Sequence, residues 1–406
     1  MIERWILERL GRDWRGPAVR VRWRGRTHQL GNGQPLVEVV VHNPAVLRRM
    51  ATRPSLAFGE AYMHGDVEVH GELMHLLEGY YRTWPVLARQ QPMRSVMWFN
   101  HLPRPTGMGR AVNNARHHYD VGNDFYALWL DPSMTYSCAY FLCEDDDIAT
   151  AQQQKLELLC RKARLEPGQR LLDIGCGWGA LLFHAAQRFG VHATGISPAR
   201  EQVEHIRREA DACGLADRVE VIPGDWRRLE GRYDRIVSVG MFEHVGREQY
   251  RAFFDKWQSL LTDDGLSVLH TIGRMQPQGC DAWIDRYIFP GGYLPSLGQV
   301  TRGAPRAHLR VVDVENLASH YARTLAAWAA NYRQAYDQVV AMYDDRFARM
   351  WWLYLQGAEA GFRWGGLQLW QVVLCHEARF PWPLDREVGM SGHKYAAVKD
   401  EAVAVG

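Results

Sequence analysis

The sequence predicts an α/β fold: a Rossmann-like, doubly wound and mainly parallel sheet, with a smaller α+β domain in front of it. Three observations carry that reading. Beyond residue 170, short apolar runs alternate with segments of helical periodicity, and strands that alternate with crossover helices pair in parallel with helices on both faces. The first of these runs, RLLDIG at 170–175, leads into a cluster of glycines. Upstream, Pro92, Pro103, Pro105, Gly107 and Gly109 fall within one stretch, which reads as a linker between folding units. A chain of 406 residues that is 47% hydrophobic can bury two cores. We therefore expect a first domain over 1–90, a linker over 91–112 and a second domain over 113–406.

The elements follow in order. Before the linker, VEVVVHNP and GDVEVHG have the character of strands, and PAVLRRMA and ELMHLLEGYYRTW that of helices. After it, RLLDIG is followed by ALLFHAAQRF, whose apolar spacing is helical, giving a strand, a tight turn and a helix. VHATGI, VEVIPGD, YDRIVSVG and GLSVLHTI continue the strands, with helices over 198–213 and 248–261 between them. In the final third, MWWLYLQG and QLWQVVLC fit long helices and one last strand closing the sheet. The aromatic residues there are expected in the core rather than on a ligand.

The formal net charge of +2 gives no sign of a nucleic-acid partner. Its distribution is uneven, since residues 1–53 hold eleven arginines, no lysine and four acids. With Trp5, Trp14 and Trp23 among them, these arginines either rest on anionic lipid head groups or form a solvated basic face. No apolar run approaches the roughly 20 residues that span a bilayer. MIERWILERLGRDW lacks the apolar stretch of a secretory signal, so a cytoplasmic location is expected. Seven cysteines without a C-x-x-C pair argue against a disulfide framework or a zinc site, and no metal is expected.

The glycine cluster, Asp173-Ile174-Gly175-Cys176-Gly177-Trp178-Gly179, sits where the first strand of the second region meets its helix. Glycines there let the backbone pass close to a ligand; the alternative is a purely structural turn. The spacing is G-x-G-x-G with an acid two residues before, and the second strand ends Thr194-Gly195-Ile196-Ser197 without an acid to hold a ribose. Both features disfavour a dinucleotide. S-adenosylmethionine needs an adenine slot and room for a short amino-acid tail, and the third strand leads to Gly224-Asp225-Trp226. Asp225 could accept from the adenine amino group while Trp226 stacks on the ring; Asp225 would as readily cap a helix.

Further stretches extend the pattern: HYDVGNDFYALWLDPSMTYSCAYF (118–141), LLDIGCGWG (171–179), DRIVSVGMFEHVG (234–246), LHTIG (269–273), YIFPGGYLPS (287–296) and, upstream, AFGEAYMHGDVEV (57–69). On these the chain resembles the cyclopropane-fatty-acyl-phospholipid synthase family, related to the mycolic acid cyclopropane synthases, over roughly residues 37 to 375. The resemblance implies a class I S-adenosylmethionine-dependent methyltransferase fold with an antiparallel last strand, and an N-terminal domain that handles lipid at the membrane. It implies a peripheral membrane enzyme, often a homodimer, that transfers a methylene group to the cis double bond of an unsaturated phospholipid acyl chain and forms a cyclopropane ring. Cofactor contacts are implied at Tyr119, Tyr136, Ser137, Asp173, Gly175, Gly177, Ser197, Gln202, Asp225 and Trp226. A bicarbonate ion is implied as the general base, held by Cys138, Glu243, His270, the backbone at Ile272, and Tyr321. Two features depart from the pattern: Tyr293 stands where some members have Cys, and the tail beyond Arg379 matches nothing.

The chemistry explains why such residues are wanted. An alkene is a weak nucleophile, so its methylation needs a strong electrophile held in line. The resulting carbocation must be kept from water by apolar and aromatic walls. The proton then lost is so acidic that a weak base suffices if it is well placed. Read alone, Cys138 is a buried small residue, His270 a hydrogen-bonded core histidine, Glu243 an acid at a helix start and Tyr321 a packing residue. The resemblance is what assigns them, and their joint occurrence with the glycine turn supports it, because strand ends of one parallel sheet converge on one crevice. Cys138 as a covalent nucleophile is disfavoured, since alkene methylation has no acyl step. A methyl-branched or methylene product, a small amine or hydroxyl substrate, and a non-catalytic lipid-binding role stay open at this point.

Overall fold

The structure is a computed structural model and describes residues 2–88, 122–276 and 278–378. The linker expected at 91–112, Tyr119 and the tail from residue 379 lie outside the described residues.

Two larger sheets organise the described residues. The first follows helix α1 (Ile2–Asp13) and opens with a hairpin of β1 (Val19–Trp23) and β2 (Arg26–Leu30). Arg24 and Gly25 turn it with φ of +50° and +69°, the left-handed two-residue turn that matches strand twist. β3 (Val37–Val41) pairs parallel with β1, and β4 (Val67–His70) antiparallel with β3, giving the order β2-β1-β3-β4. Alternate residues of β1 and β3 are buried, so one face of the sheet forms a core with α1, α2 (Ala45–Met50), α3 (Pro54–Met63) and α4 (Leu73–Ala88). β3, β4, α2 and α4 are elements the sequence predicts. The hairpin is not, because VRVRW and RTHQL place arginine and polar residues on the outer face and leave no apolar run. Of the three tryptophans read as candidates for a lipid surface, Trp23 is buried and Trp14 is tucked in, donating to the Pro17 carbonyl at 2.8 Å. Trp5 alone of the three is largely exposed, at 57%.

The second unit begins with α5 (Asn123–Ala127) and α6 (Ile148–Lys162) and then alternates: β5 (Arg170–Ile174), α7 (Ala180–Phe189), β6 (His192–Ser197), α8 (Arg200–Ala212), β7 (Val219–Pro223), β8 (Tyr233–Val239), α9 (Tyr250–Leu260) and β9 (Leu261–Arg274). A short pair, β10 (Gln278–Gly279) and β11 (Tyr293–Leu294), flanks α10 (Ala282–Tyr287). α11 (Leu297–Arg306), β12 (Leu309–Asn316), α12 (Ala318–Gln334), α13 (Tyr336–Met342), α14 (Asp345–Arg363) and β13 (Leu367–His376) complete it. Strands β5 to β9 are parallel, and β13 inserts antiparallel between β9 and β12. With the seven strands counted in chain order, the sheet runs 3-2-1-4-5-7-6. The antiparallel last strand is as expected, but two strands close the sheet rather than one. β12 escaped the sequence reading because it is a half-buried edge strand carrying Arg310, Asp313 and Glu315.

Successive residues of a strand face opposite sides, and two cores result. Leu171, Val237, Val268 and Val373 pack with α6, α7 and α8, whereas Leu172, Ile236, Leu269 and Val372 pack with α9 and α11. A third core is aromatic: Phe125, Trp129, Trp328, Tyr332 and Trp351 are all fully buried between α5, α12 and α14. Leu56, Met63, Leu73 and Leu77 of α3 and α4 belong to the same cluster, so the first unit's helices share the second unit's interior. Gly59 permits the contact, because a Cβ there would stand 2.3 Å from the Trp283 ring.

Candidate active site

The strand order reverses between β5 and β8, and a crevice opens at the carboxyl ends of such strands. Gly175 and Gly177 make the turn there with φ of +88° and +55°. A Cβ on Gly175 would lie 2.8 Å from the Met241 side chain, while one on Gly177 would meet nothing within 4 Å. A cavity of 150 Å³ lies over this turn, and every expected cofactor contact lines it except Tyr119, which is outside the described residues. Asp173 Oδ1 and Gln202 Nε2 are buried without a hydrogen-bond partner among the described residues. An acceptor and a donor held in that state call for a polar ligand, and S-adenosylmethionine, with its ammonium and ribose hydroxyls, fits them. Ser197 Oγ holds Gln202 in place by donating to its Oε1 at 2.7 Å. Asp225 does act as a cap: its Oδ1 accepts from the Arg227 amide at 2.9 Å and its Oδ2 from the Arg227 guanidinium at 2.7 Å. That guanidinium also covers one face of Trp226, 4.5 Å from the ring centre.

A larger, mainly apolar cavity of 470 Å³ is lined by Leu10 of α1, by Leu77 and Trp84 of α4, and by Ile272 and Phe362; its inner end is the part beside the cofactor pocket. At its inner end stand all five residues expected at the base: Cys138, Glu243, His270, Ile272 and Tyr321. They come from four pieces of chain. Cys138 lies in the irregular segment between α5 and α6, Glu243 in a 3-10 turn (Phe242–His244) after β8, His270 and Ile272 on β9, and Tyr321 in the first turn of α12. The two cavities share Tyr136, Ser137, Gly240 and His244, so a group seated in one is presented to the other there.

Glu243 Oε1 accepts from the Ile272 amide at 2.6 Å, and its Oε2 is buried without a partner among the described residues. Burial pushes this carboxyl up to about 7. The Ile272 amide, expected to meet an anion directly, is thus taken by Glu243. His270 is 1% exposed. Its Nδ1 lies 3.1 Å from Gln371 Nε2, and its Nε2 is buried without a partner among the described residues. Burial, then the charges of Lys155 and Lys162, hold the imidazole well below its ordinary value, so the ring is neutral. Burial raises the Cys138 thiol, whose Sγ is turned to the Ala139 carbonyl at 3.1 Å; it is no thiolate nucleophile. Tyr321 packs edge-on to Trp328 and against Phe362, with ring centres 6.1 Å and 4.6 Å away.

Two residues escaped the sequence reading. Lys155 of α6, 2% exposed, donates to Ser137 Oγ at 2.8 Å, and burial lowers its ammonium to about 8. The available signal was a lysine at a position where Leu156 and Leu159 mark the helix interior. His244 lies between both cavities, edge-on to Phe289 at 5.7 Å, with its imidazole lowered to about 4 by burial. FEHVG contained it, but that motif drew attention only to its acid.

A glycine turn at the switch point of this seven-stranded sheet, with unpartnered polar atoms above it, defines a class I S-adenosylmethionine-dependent methyltransferase. Comparison with known proteins narrows the class: the model of the mycolic acid cyclopropane synthetase family matches residues 107–372, and the chain belongs to that family. Residues 15–91 match a domain of unknown function. The cyclopropane-fatty-acyl-phospholipid synthase of Escherichia coli (strain K12) is 35% identical over 84% of this chain and 88% of its own length. A probable fatty acid methyltransferase of Pseudomonas putida is 36% identical over 86% and 90%. The crystal structure of mycolic acid cyclopropane synthase CmaA1 complexed with SAH and CTAB superposes with a TM-score of 0.62 at 34% identity, covering 65% of this chain and 97% of that one. These relatives indicate S-adenosylmethionine-dependent methyl or cyclopropane transfer to fatty acyl chains.

Proposed function

We propose that the protein transfers a methylene group from S-adenosylmethionine to the cis double bond of an unsaturated phospholipid acyl chain and closes a cyclopropane ring, with bicarbonate as the base. The meeting of a pocket that holds the unpartnered Asp173 Oδ1 and Gln202 Nε2 with an apolar cavity, at Tyr136, Ser137, Gly240 and His244, carries this reading. The cofactor, when bound, supplies an electrophilic methyl group. The chain's own residues do the rest. Asp173 and Gln202 hold the cofactor's polar ends, and the apolar walls keep water from the cation formed on the acyl chain. Tyr136 and Phe362, which line the apolar cavity, offer aromatic faces to that charge. His270 Nε2 and the Tyr321 hydroxyl donate to the oxygens of an anion at the inner end, and Glu243 Oε2 accepts its hydroxyl proton.

Residues 1–90 are, in this reading, a lipid-handling domain whose α4 lines the path of the acyl chain. The protein would act as a peripheral membrane homodimer, with Trp5 and the arginines of α1 on the head groups. Among the described residues no helix is long and apolar enough to cross a membrane. The test is mass spectrometry and proton NMR of unsaturated phospholipid vesicles incubated with protein and S-adenosylmethionine. We expect a gain of one methylene unit and loss of the olefinic signal. The Pseudomonas relative, named for methyl transfer to fatty acids, supports a second reading with a methyl-branched or methylene product. A mass gain in which the product keeps an olefin, or lacks ring protons, decides for it. Turnover that is unchanged in carbonate-free buffer would remove bicarbonate from the proposal.

A further inference from the structure

His270 stands in a row that crosses three strands. β9, β13 and β12 pair so that His270 faces Gln371 and Gln371 faces Glu315, and directly opposed side chains share a face of the sheet. Lys162, the last residue of α6, reaches into this row. Its ammonium donates to Gln371 Oε1 at 2.6 Å and pairs with Glu315. Gln371 in turn places Nε2 3.1 Å from His270 Nδ1. Gln371, His270 and Lys162 are 0%, 1% and 6% exposed, so none of the three takes its partners from bulk solvent.

Donor and acceptor chemistry fixes the direction of this chain. An ammonium group has three donors and no acceptor, so Gln371 can turn only its carbonyl oxygen to Lys162 and must turn its NH2 to His270. Nδ1 then has to accept, and a neutral imidazole carries its one proton on the other nitrogen. That nitrogen, Nε2, lacks a partner among the described residues, on a side chain that lines the inner end of the apolar cavity. We propose that Lys162 and Gln371 are positioning residues that lock His270 in its Nε2–H tautomer, making it a fixed donor to a bound anion and barring it from acting as the base. The proton released in ring closure therefore goes to the bound anion and not to His270. The identity of that anion rests on the function proposed above; the tautomer does not.

The tautomer can be read directly by NMR of protein carrying 15N-labelled histidine, with His270 assigned by the signal lost in His270→Ala. In the unmodified protein we expect a protonated Nε2 and a bare Nδ1; a proton on Nδ1 overturns the proposal. In Gln371→Glu a carboxylate replaces the amide donor, so the proton should appear on Nδ1, and an unchanged spectrum also overturns it. In Gln371→Leu and Lys162→Gln the bicarbonate needed for half-maximal turnover should rise about tenfold to a hundredfold, the worth of one hydrogen bond to a charged acceptor, while S-adenosylmethionine affinity stays. Loss of cofactor affinity in step with turnover would mean a merely structural role and would overturn the proposal. If turnover of the unmodified protein ignores bicarbonate while the spectrum reports Nε2–H, the base assignment fails and the lock stands.

Discussion

The cofactor pocket and the apolar cavity are built on opposite principles. Most of the pocket is assembled from consecutive strand ends of one sheet, between Asp173 and Trp226, and its shape is set by backbone conformation, as at Gly175 and Gly177. The cavity draws its walls from across the chain, from Trp5 to Leu369, and its shape is set by how helices from both units pack. A ligand with fixed polar groups calls for the first kind of site and a flexible hydrocarbon for the second. The difference implies that binding of cofactor and handling of the alkene can be damaged separately, although the two sites touch.

The sharpest test of that separation is Glu243→Gln. Glu243 lines the apolar cavity and not the pocket, and it presents its unpartnered oxygen where a base is proposed. Turnover should fall roughly a hundredfold to ten-thousandfold, the usual worth of a placed proton-transfer group, with S-adenosylmethionine affinity unchanged by calorimetry. The converse variant is Gly175→Val. A β-branched residue at φ +88°, with its Cβ 2.8 Å from Met241, distorts the turn and should weaken cofactor binding about tenfold or more. If either variant impaired both properties alike, the two regions would have to be treated as one site.

The same contrast sorts what the sequence made legible. The glycine turn and β5 to β9 are local patterns, an apolar run and a turn signal each, and they stand where expected. Cys138, Glu243, His270 and Tyr321 are brought together as expected, but only family resemblance joined residues so far apart in the chain. What local pattern could not carry is anything set by pairing across the sheet. Gln371 matters because the β9–β13 register puts it opposite His270, and Lys162 because α6 ends over that row. Neither fact is written in the neighbours of those residues. β1, β2 and β12 were missed for a related reason: each carries charged or polar residues on its solvent side, which masks a half-buried strand.

A thermodynamic test comes next in size. An unfolded glutamate titrates near about 4.3, and burial raises Glu243 to about 7. Between those values the folded state holds a proton that the unfolded state has lost. Stability therefore falls as pH rises through that window and levels off above it, by on the order of 3 kcal/mol from this group. Glu243→Gln keeps the acceptor for the Ile272 amide and removes the titration. Its melting temperature should exceed that of the unmodified protein by more at pH 8 than at pH 5; an equal difference at both would mean that the carboxyl is hydrated.

The smallest expected effect probes the outer half of the cavity. Leu77 of α4 is buried, lines the cavity and packs into the aromatic core. It lies in the region that matches a domain of unknown function. If this unit houses the far end of the acyl chain, Leu77→Trp shortens the space available and should lower turnover on long-chain phospholipids a few-fold relative to short-chain ones. Cofactor affinity, set at the opposite end of the meeting point, should stay the same. Overpacking alone costs about 1–3 kcal/mol and would lower turnover on every chain length together, once melting has established that the variant is folded. Only a change in the ratio between long and short chains assigns the cavity's outer half to substrate, and an unchanged ratio leaves the first unit with a purely structural share in the apolar cavity.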